Sequence, residues 1–138
     1  MVAITNAVAA QRWQVATCMH GFPTVSADGI ALHDAGVAVW ATVFQEIADL
    51  GFSYAELSDG HLRLGDADRG RIREIRAIAA ELGVTVPSHH VQRRSIIMPG
   101  HEKANLEYAH RAIDGAAEWG SNVFSTGLHQ PFTTAQKD

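Results

Sequence analysis

Across 138 residues, hydrophobic side chains make up 46% and charged ones 19%, which supplies a packed core and excludes wholesale disorder. The formal net charge of -4, with Arg93-Arg94 as the one sharp basic doublet near a candidate site, argues against a nucleic-acid-binding surface. A single cysteine, Cys18, rules out an internal disulfide and fits a reducing compartment.

Met1 to Ala10 is small and apolar but has no basic segment leading into a long apolar stretch, so it does not read as a signal peptide. No run approaches the roughly 18 apolar residues a membrane span needs, and a cytoplasmic chain is expected.

The first predicted strand covers about 13–19 (Trp13 to Met19), with Cys18 expected in its core as a buried, inert thiol. A long loop from His20 to about Asp34 follows, marked by the turn signals Gly21-Phe22-Pro23 and Asp28-Gly29. Trp40, Phe44, Ile47 and Leu50 then share one helical face, closed by Gly51. The second strand, about 52–58, ends in Ser58 and Asp59, and Asp59-Gly60-His61 reads as a turn. Asp66 or Asp68 is placed to cap a second helix, whose apolar face is Ile72, Ile75, Ala79 and Leu82, closed by Gly83.

The third strand, about 84–90, runs from Val84 through Pro87 to His89 and His90. Pro99-Gly100 ends the next loop, and a third helix begins near Glu102. Its predicted face is Leu106, Ala109, Ile113 and Ala116, with Trp119 and Gly120 closing it. The fourth strand covers about 122–127. A loop from Gly127 to Phe132 follows, and Thr133 to Asp138 is too short to complete a helix.

Helix, glycine and apolar strand therefore recur three times, each glycine standing where a helix end calls for positive φ. The spacing of Gly51, Gly83 and Gly120 is close to the roughly 31 residues per unit of a barrel of about 250 residues. This predicts an α/β fold of the (β/α)8 TIM-barrel type, partial, with about four βα units and parallel strands in one partial barrel domain over 1–138. A four-stranded doubly wound domain is the rival. It loses support because the first strand lacks a following GxGxxG and the chain has no GxxxxGK[ST].

Three passages, Phe44 to Phe52 with Ala55-Glu56-Leu57, Ile78 to Val84 with Pro87-Ser88-His89-His90, and Ala116 to Gly127, resemble the xylose isomerase-like barrel superfamily. That superfamily includes sugar isomerases and epimerases and endonuclease IV-type enzymes. The resemblance spans roughly Trp40 to Phe132 and implies an N-terminal half barrel. It also implies a divalent metal (Mn, Mg, Co or Zn), whose main ligands lie on later strands expected to be missing here. Similarity to the endonuclease type points to His89 or His90 after the third strand and His129 after the fourth as metal ligands, with no acidic bridging ligand to match.

On a barrel, strand C-termini and the loops after them form the active face. That face holds His20, Glu56, Asp59, His89, His90, Ser125, Thr126 and His129. His89 and His90 are neighbours on a strand, so one at most points to the barrel axis. Glu56 and His90 are the candidates for catalysis. His20, Phe22, Glu56, His89, His90 and His129 are the candidates for binding substrate. Phe22 and Phe132 suit the lining of a sugar pocket, whereas Trp40 and Trp119 read as helix-to-sheet packing. His33, His101 and His110 are expected to be solvated.

The expected function is isomerisation or epimerisation of a small sugar or sugar phosphate by metal-assisted proton transfer, in a truncated barrel. Three alternatives stand beside it: a sugar lyase on the same scaffold, an endonuclease IV-like phosphodiesterase, and a non-catalytic half barrel that needs a complementary half or a second copy of itself.

Overall fold

The computed structural model describes residues 15–92 and 94–127. Its elements in chain order are β1 (Thr17–Cys18), a 3-10 turn (Met19–Gly21), α1 (Val37–Asp49), β2 (Tyr54–Ser58), α2 (Arg69–Glu81), β3 (Thr85–Val91), α3 (Glu102–Trp119) and β4 (Val123–Thr126). The strands form one sheet in the order β1-β2-β3-β4, and every neighbouring pair is parallel. A strand order that follows the chain, combined with right-handed crossovers, places all the connecting helices on one face of the sheet. A doubly wound domain reverses its strand order and covers both faces. The chain is therefore a partial TIM barrel, with one sheet face under helices and the other open as the barrel's inner wall.

The three described α-helices end in the same way. After α1, the N–H of Phe52 donates to Ile47 O (3.2 Å) and that of Gly51 to Ala48 O (2.9 Å). After α2, Val84 donates to Ala79 O and Gly83 to Ala80 O; after α3, Ser121 donates to Ala116 O and Gly120 to Ala117 O. Gly51, Gly83 and Gly120 have φ of 85°, 73° and 87°, the left-handed region these paired bonds require. The motif turns the chain sharply and, after α1 and α2, hands an apolar residue, Phe52 or Val84, back to the core. Phe52 takes that inward place after α1, while Leu50, expected on the buried face, is 61% exposed.

At its start, α2 is capped by Asp68, which accepts from the N–H of Arg71 at 2.9 Å. Asp66 instead pairs with Arg94 and Arg111. Trp40, Phe44 and Ile47 of α1 are fully buried, and Trp40 Nε1 donates to Leu32 O (3.2 Å), tying the long first loop to the helix.

The buried face of α3 differs from the expected one. It consists of Asn105, Tyr108, Ala109, Ala112, Gly115, Ala116 and Trp119, whereas Leu106 and Ile113 are 45% and 46% exposed. The loop after β2 is the reason, since it presses directly on α3. A Cβ on Gly115 would lie 2.8 Å from Leu64 O, and one on Gly65 would lie 2.7 Å from the Tyr108 ring. Only the small-residue side of the helix admits that approach.

Cys18 also departs from expectation. β1 is short and passes at once into the 3-10 turn, and Cys18 pairs in register with Glu56 on the open face, where it is exposed. The rest of the expected first strand, including Trp13, lies outside the described residues.

Candidate functional site

Side chains in register on parallel strands share a face. The row Leu57, His89 and Phe124 points to the helices, with Leu57 fully buried. The next row, Ser58, His90 and Ser125, lies on the open face at the strands' C-terminal ends. One row deeper on that face stand Cys18, Glu56 and Ser88.

An irregularity in β3 sets this arrangement. Tyr54 pairs with Thr85, but Glu56 pairs with Ser88, so β3 carries one extra residue between the two pairings. Pro87 sits there, lacking the N–H that a ladder needs, while its carbonyl still accepts from Asn122. Without the extra residue, alternation from buried Val84 and Val86 would turn His90 to the helices and His89 to the axis. The bulge reverses the two.

His89 is therefore a core residue, 2% exposed, edge-on to Trp119 with ring centroids 5.3 Å apart. Ser121 Oγ donates to Val86 O (2.9 Å), so its single proton is spent there. The 2.8 Å contact between Ser121 Oγ and His89 Nδ1 then makes Nδ1–H the donor. His89 Nε2 is left buried without a partner, and burial pushes the pKa down from 6.5 to about 4.

His90 stands on the opposite face. Its Nδ1 is 2.6 Å from Ser125 Oγ, and its ring meets that of His20 edge-on at 5.6 Å. Glu56 Oε1 accepts from Ser88 Oγ at 3.4 Å.

Beside this wall, at the ends of β1, β2 and β3, lies a cavity of about 510 Å³ lined by His20, His33, Ser58, Asp59, His61, Arg63 and Arg94 among others. Its volume falls in the range of small-molecule sites, roughly 300–1,000 Å³.

His61 forms the floor. The turn at Asp59-Gly60 is present, but it folds His61 inward to 1% exposure rather than out to solvent. Its Nε2 lies 3.0 Å from Phe22 O, which can only accept, so Nε2 carries the proton; Nδ1 then accepts from Ser58 Oγ at 2.8 Å. Desolvation is the main cause of its lowered pKa, and the ring is held neutral between two partners. Asp59 is fixed as well, with Oδ1 accepting from the N–H of Gln92 (3.2 Å).

The structure thus brings His20 and His90 together at the strand ends, with Glu56 one row below them. His89 is placed behind the sheet. Phe22 packs on the core and supplies its carbonyl to His61, and its ring borders a separate groove along α1. His129 and Phe132 lie outside the described residues.

Sequence reasoning missed His33, His61, Arg63 and Arg94 as cavity residues. His33 is not solvated as expected: it is partly buried, with Nε2 3.3 Å from Asp34 Oδ2. Its place in a loop without periodicity carried no signal. His101 and His110 are exposed on α3 and its approach. No three His, Cys, Asp or Glu among the described residues converge to hold a metal ion, so these residues do not fit a divalent-metal site. No described helix is long and apolar enough to cross a membrane.

A solved xylose isomerase-like TIM barrel protein from Mycobacterium smegmatis, in complex with magnesium, is similar over 91% of this chain at 33% identity with a TM-score of 0.77. A D-psicose 3-epimerase structure determined in the presence of D-fructose is similar over 75% of the chain at 16% identity and a TM-score of 0.54, a likeness of fold alone. The chain spans 41% and 38% of the lengths of these two proteins. No protein-family model matches the chain, and no curated protein matches it at a significant level.

Proposed function

We propose that this chain, similar over 91% of its length to a xylose isomerase-like TIM barrel protein, supplies the sugar-binding, proton-handling wall of an isomerase or epimerase acting on a small carbohydrate. The observation that carries this reading is the inward row Ser58, His90 and Ser125, with Glu56 one row deeper, opening beside the cavity at the strand C-termini.

Isomerisation and epimerisation both take a proton from a carbon next to a carbonyl and return it, either to the neighbouring carbon or to the opposite face. Imidazole and carboxylate are the side chains suited to that transfer. With His90 Nδ1 engaged by Ser125, its Nε2 is the ring nitrogen left to meet a sugar hydroxyl or to hold a proton in transit. Glu56, kept in place by Ser88, is the carboxylate on the same face. His20 closes over His90 and limits where the sugar can lie.

The related mycobacterial protein holds magnesium, and a divalent ion of this kind polarises a carbonyl and an adjacent hydroxyl. Ligands for such an ion in this protein would come from outside the described residues, and no step here is routed through it.

A second reading is supported by the inner face, on which Cys18 and Val123 are exposed among the described residues: the chain acts only against a complementary half barrel or a second copy of itself. The test is common to both. The full chain is incubated in D2O with D-fructose and with D-psicose, alone and with Mg²⁺ or Mn²⁺, and deuterium entering carbon-bound positions is followed by NMR. Incorporation that falls at least tenfold in both Glu56→Gln and His90→Gln is expected. Incorporation only at protein concentrations where a dimer forms selects the second reading, and none under any condition overturns proton transfer on these sugars.

A further inference from the structure

The overall charge of the chain is -4, yet the cavity beside the strand ends is locally basic. It is bordered by the guanidinium groups of Arg63 and Arg94, against the single carboxylate of Asp59. Asp59 accepts from the N–H of Gln92 and keeps its charge, so it balances one of the two guanidinium groups. Arg63 forms no ion pair among the described residues.

Arg94 is held ready by groups outside the cavity. Its guanidinium lies 3.7 Å from the centre of the Tyr108 ring, and one Nη2–H reaches Asp66 Oδ2 at 3.4 Å. Asp66 is shared, since Arg111 Nη2 lies 3.6 Å from its other oxygen while Arg111 Nε donates to Gly65 O at 2.9 Å. One carboxylate thus serves two arginines, leaving excess positive charge on this side of the cavity. Tyr108 does not offset it: its pKa is raised to about 12, chiefly by burial, and the ring stays neutral. The stacking fixes the plane of a five-donor fork of which Asp66 uses only part.

We infer that this cavity binds an anionic group of the substrate, a phosphate ester or a sugar carboxylate, through Arg94 and Arg63. This deepens the proposed function by naming a substrate class for the same site, and it rests on that reading. With a neutral sugar bound, the three guanidinium groups of Arg63, Arg94 and Arg111 would have only the two carboxylates of Asp59 and Asp66 beside them. A planar guanidinium matches the paired oxygens of either anion, and a charge-assisted pair of this kind is about twice as strong as a neutral hydrogen bond.

The experiment is isothermal titration of the full chain with four probes: D-fructose, D-fructose 6-phosphate, D-glucuronate and inorganic phosphate, at low and at 0.5 M salt. Both sugar anions or one of them should bind at least tenfold more tightly than D-fructose, with the advantage reduced by salt. Arg63→Gln and Arg94→Lys should each weaken the anion at least fivefold and leave D-fructose unchanged. The first substitution removes an exposed side chain with no ion pair among the described residues. The second keeps the charge but loses the fork, and thermal melting confirms that each variant is folded.

Preference for D-fructose 6-phosphate, with inorganic phosphate competing, identifies a phosphate ester; preference for D-glucuronate identifies a sugar acid. Equal binding of D-fructose and both anions, or anion binding that survives both substitutions, overturns the inference and leaves the sugar reading standing. Binding of none of the four overturns both.

Discussion

His89 makes the stability of this fold depend on pH in a direction and amount that its surroundings set. The ring is neutral, protonated on Nδ1, with Nε2 turned into the layer between sheet and α3, where no acceptor among the described residues awaits a second proton. Its pKa is about 4 in the folded chain against an ordinary 6.5. The unfolded chain therefore binds the proton more readily, so the contribution of His89 is fully present above pH 6.5 and is lost as pH falls towards 4. At roughly 1.36 kcal/mol per pH unit the whole loss is on the order of 3 kcal/mol, of which about 2 kcal/mol has gone by pH 5. His61, whose pKa is also lowered, adds a loss of the same sign. Urea unfolding followed by tryptophan fluorescence at pH 7.5 and pH 5.0 measures the sum, and His89→Phe isolates the His89 part. Phenylalanine keeps an aromatic ring beside Trp119 and leaves Ser121 bonded to Val86 O. The variant should lose about 2 kcal/mol less than the parent between the two pH values. Parallel losses in parent and variant would refute this account of the buried imidazole.

Two further outcomes follow from the packing of α3. Gly115→Ala improves helix propensity by up to about 1 kcal/mol, but its Cβ would meet Leu64 O at 2.8 Å and Leu64 Cβ at 2.9 Å. Backbone cannot swing aside as a side-chain end can, so a net loss of about 1–2 kcal/mol is expected in thermal or urea unfolding; a raised Tm contradicts the close approach. Tyr108→Phe should change stability by less than about 1 kcal/mol, because the buried hydroxyl has no close hydrogen-bond partner among the described residues beyond a weak approach to the N–H of Gly65. A clear loss in the same assay would show that the hydroxyl is bonded.

Much of the architecture is written locally. Helical periodicity at Trp40, Phe44 and Ile47, and again at Ile72, Ile75 and Ala79, reports burial that the structure shows. The three glycines mark the helix ends because positive φ is a property of one residue and its neighbours, requiring no distant partner. The alternation Ala55, Glu56 and Leu57 likewise states which face Glu56 occupies.

Other features depend on groups far apart in the chain. The buried side of α3 was misread at Leu106 and Ile113 because it is chosen by the loop around Leu64, which demands small residues opposite it. Cys18 was expected in a core, but β1 is too short to bury it. The cavity joins His20, His33, His61, Arg63 and Arg94 from three loops whose convergence no spacing announces.

Adjacency alone determined that His89 and His90 must part to opposite faces, since successive strand residues alternate. Which of them reaches the inner wall was decided by the extra residue at Pro87. A bulge shifts every later side chain in its strand, and it exists only in the pairing with a neighbour.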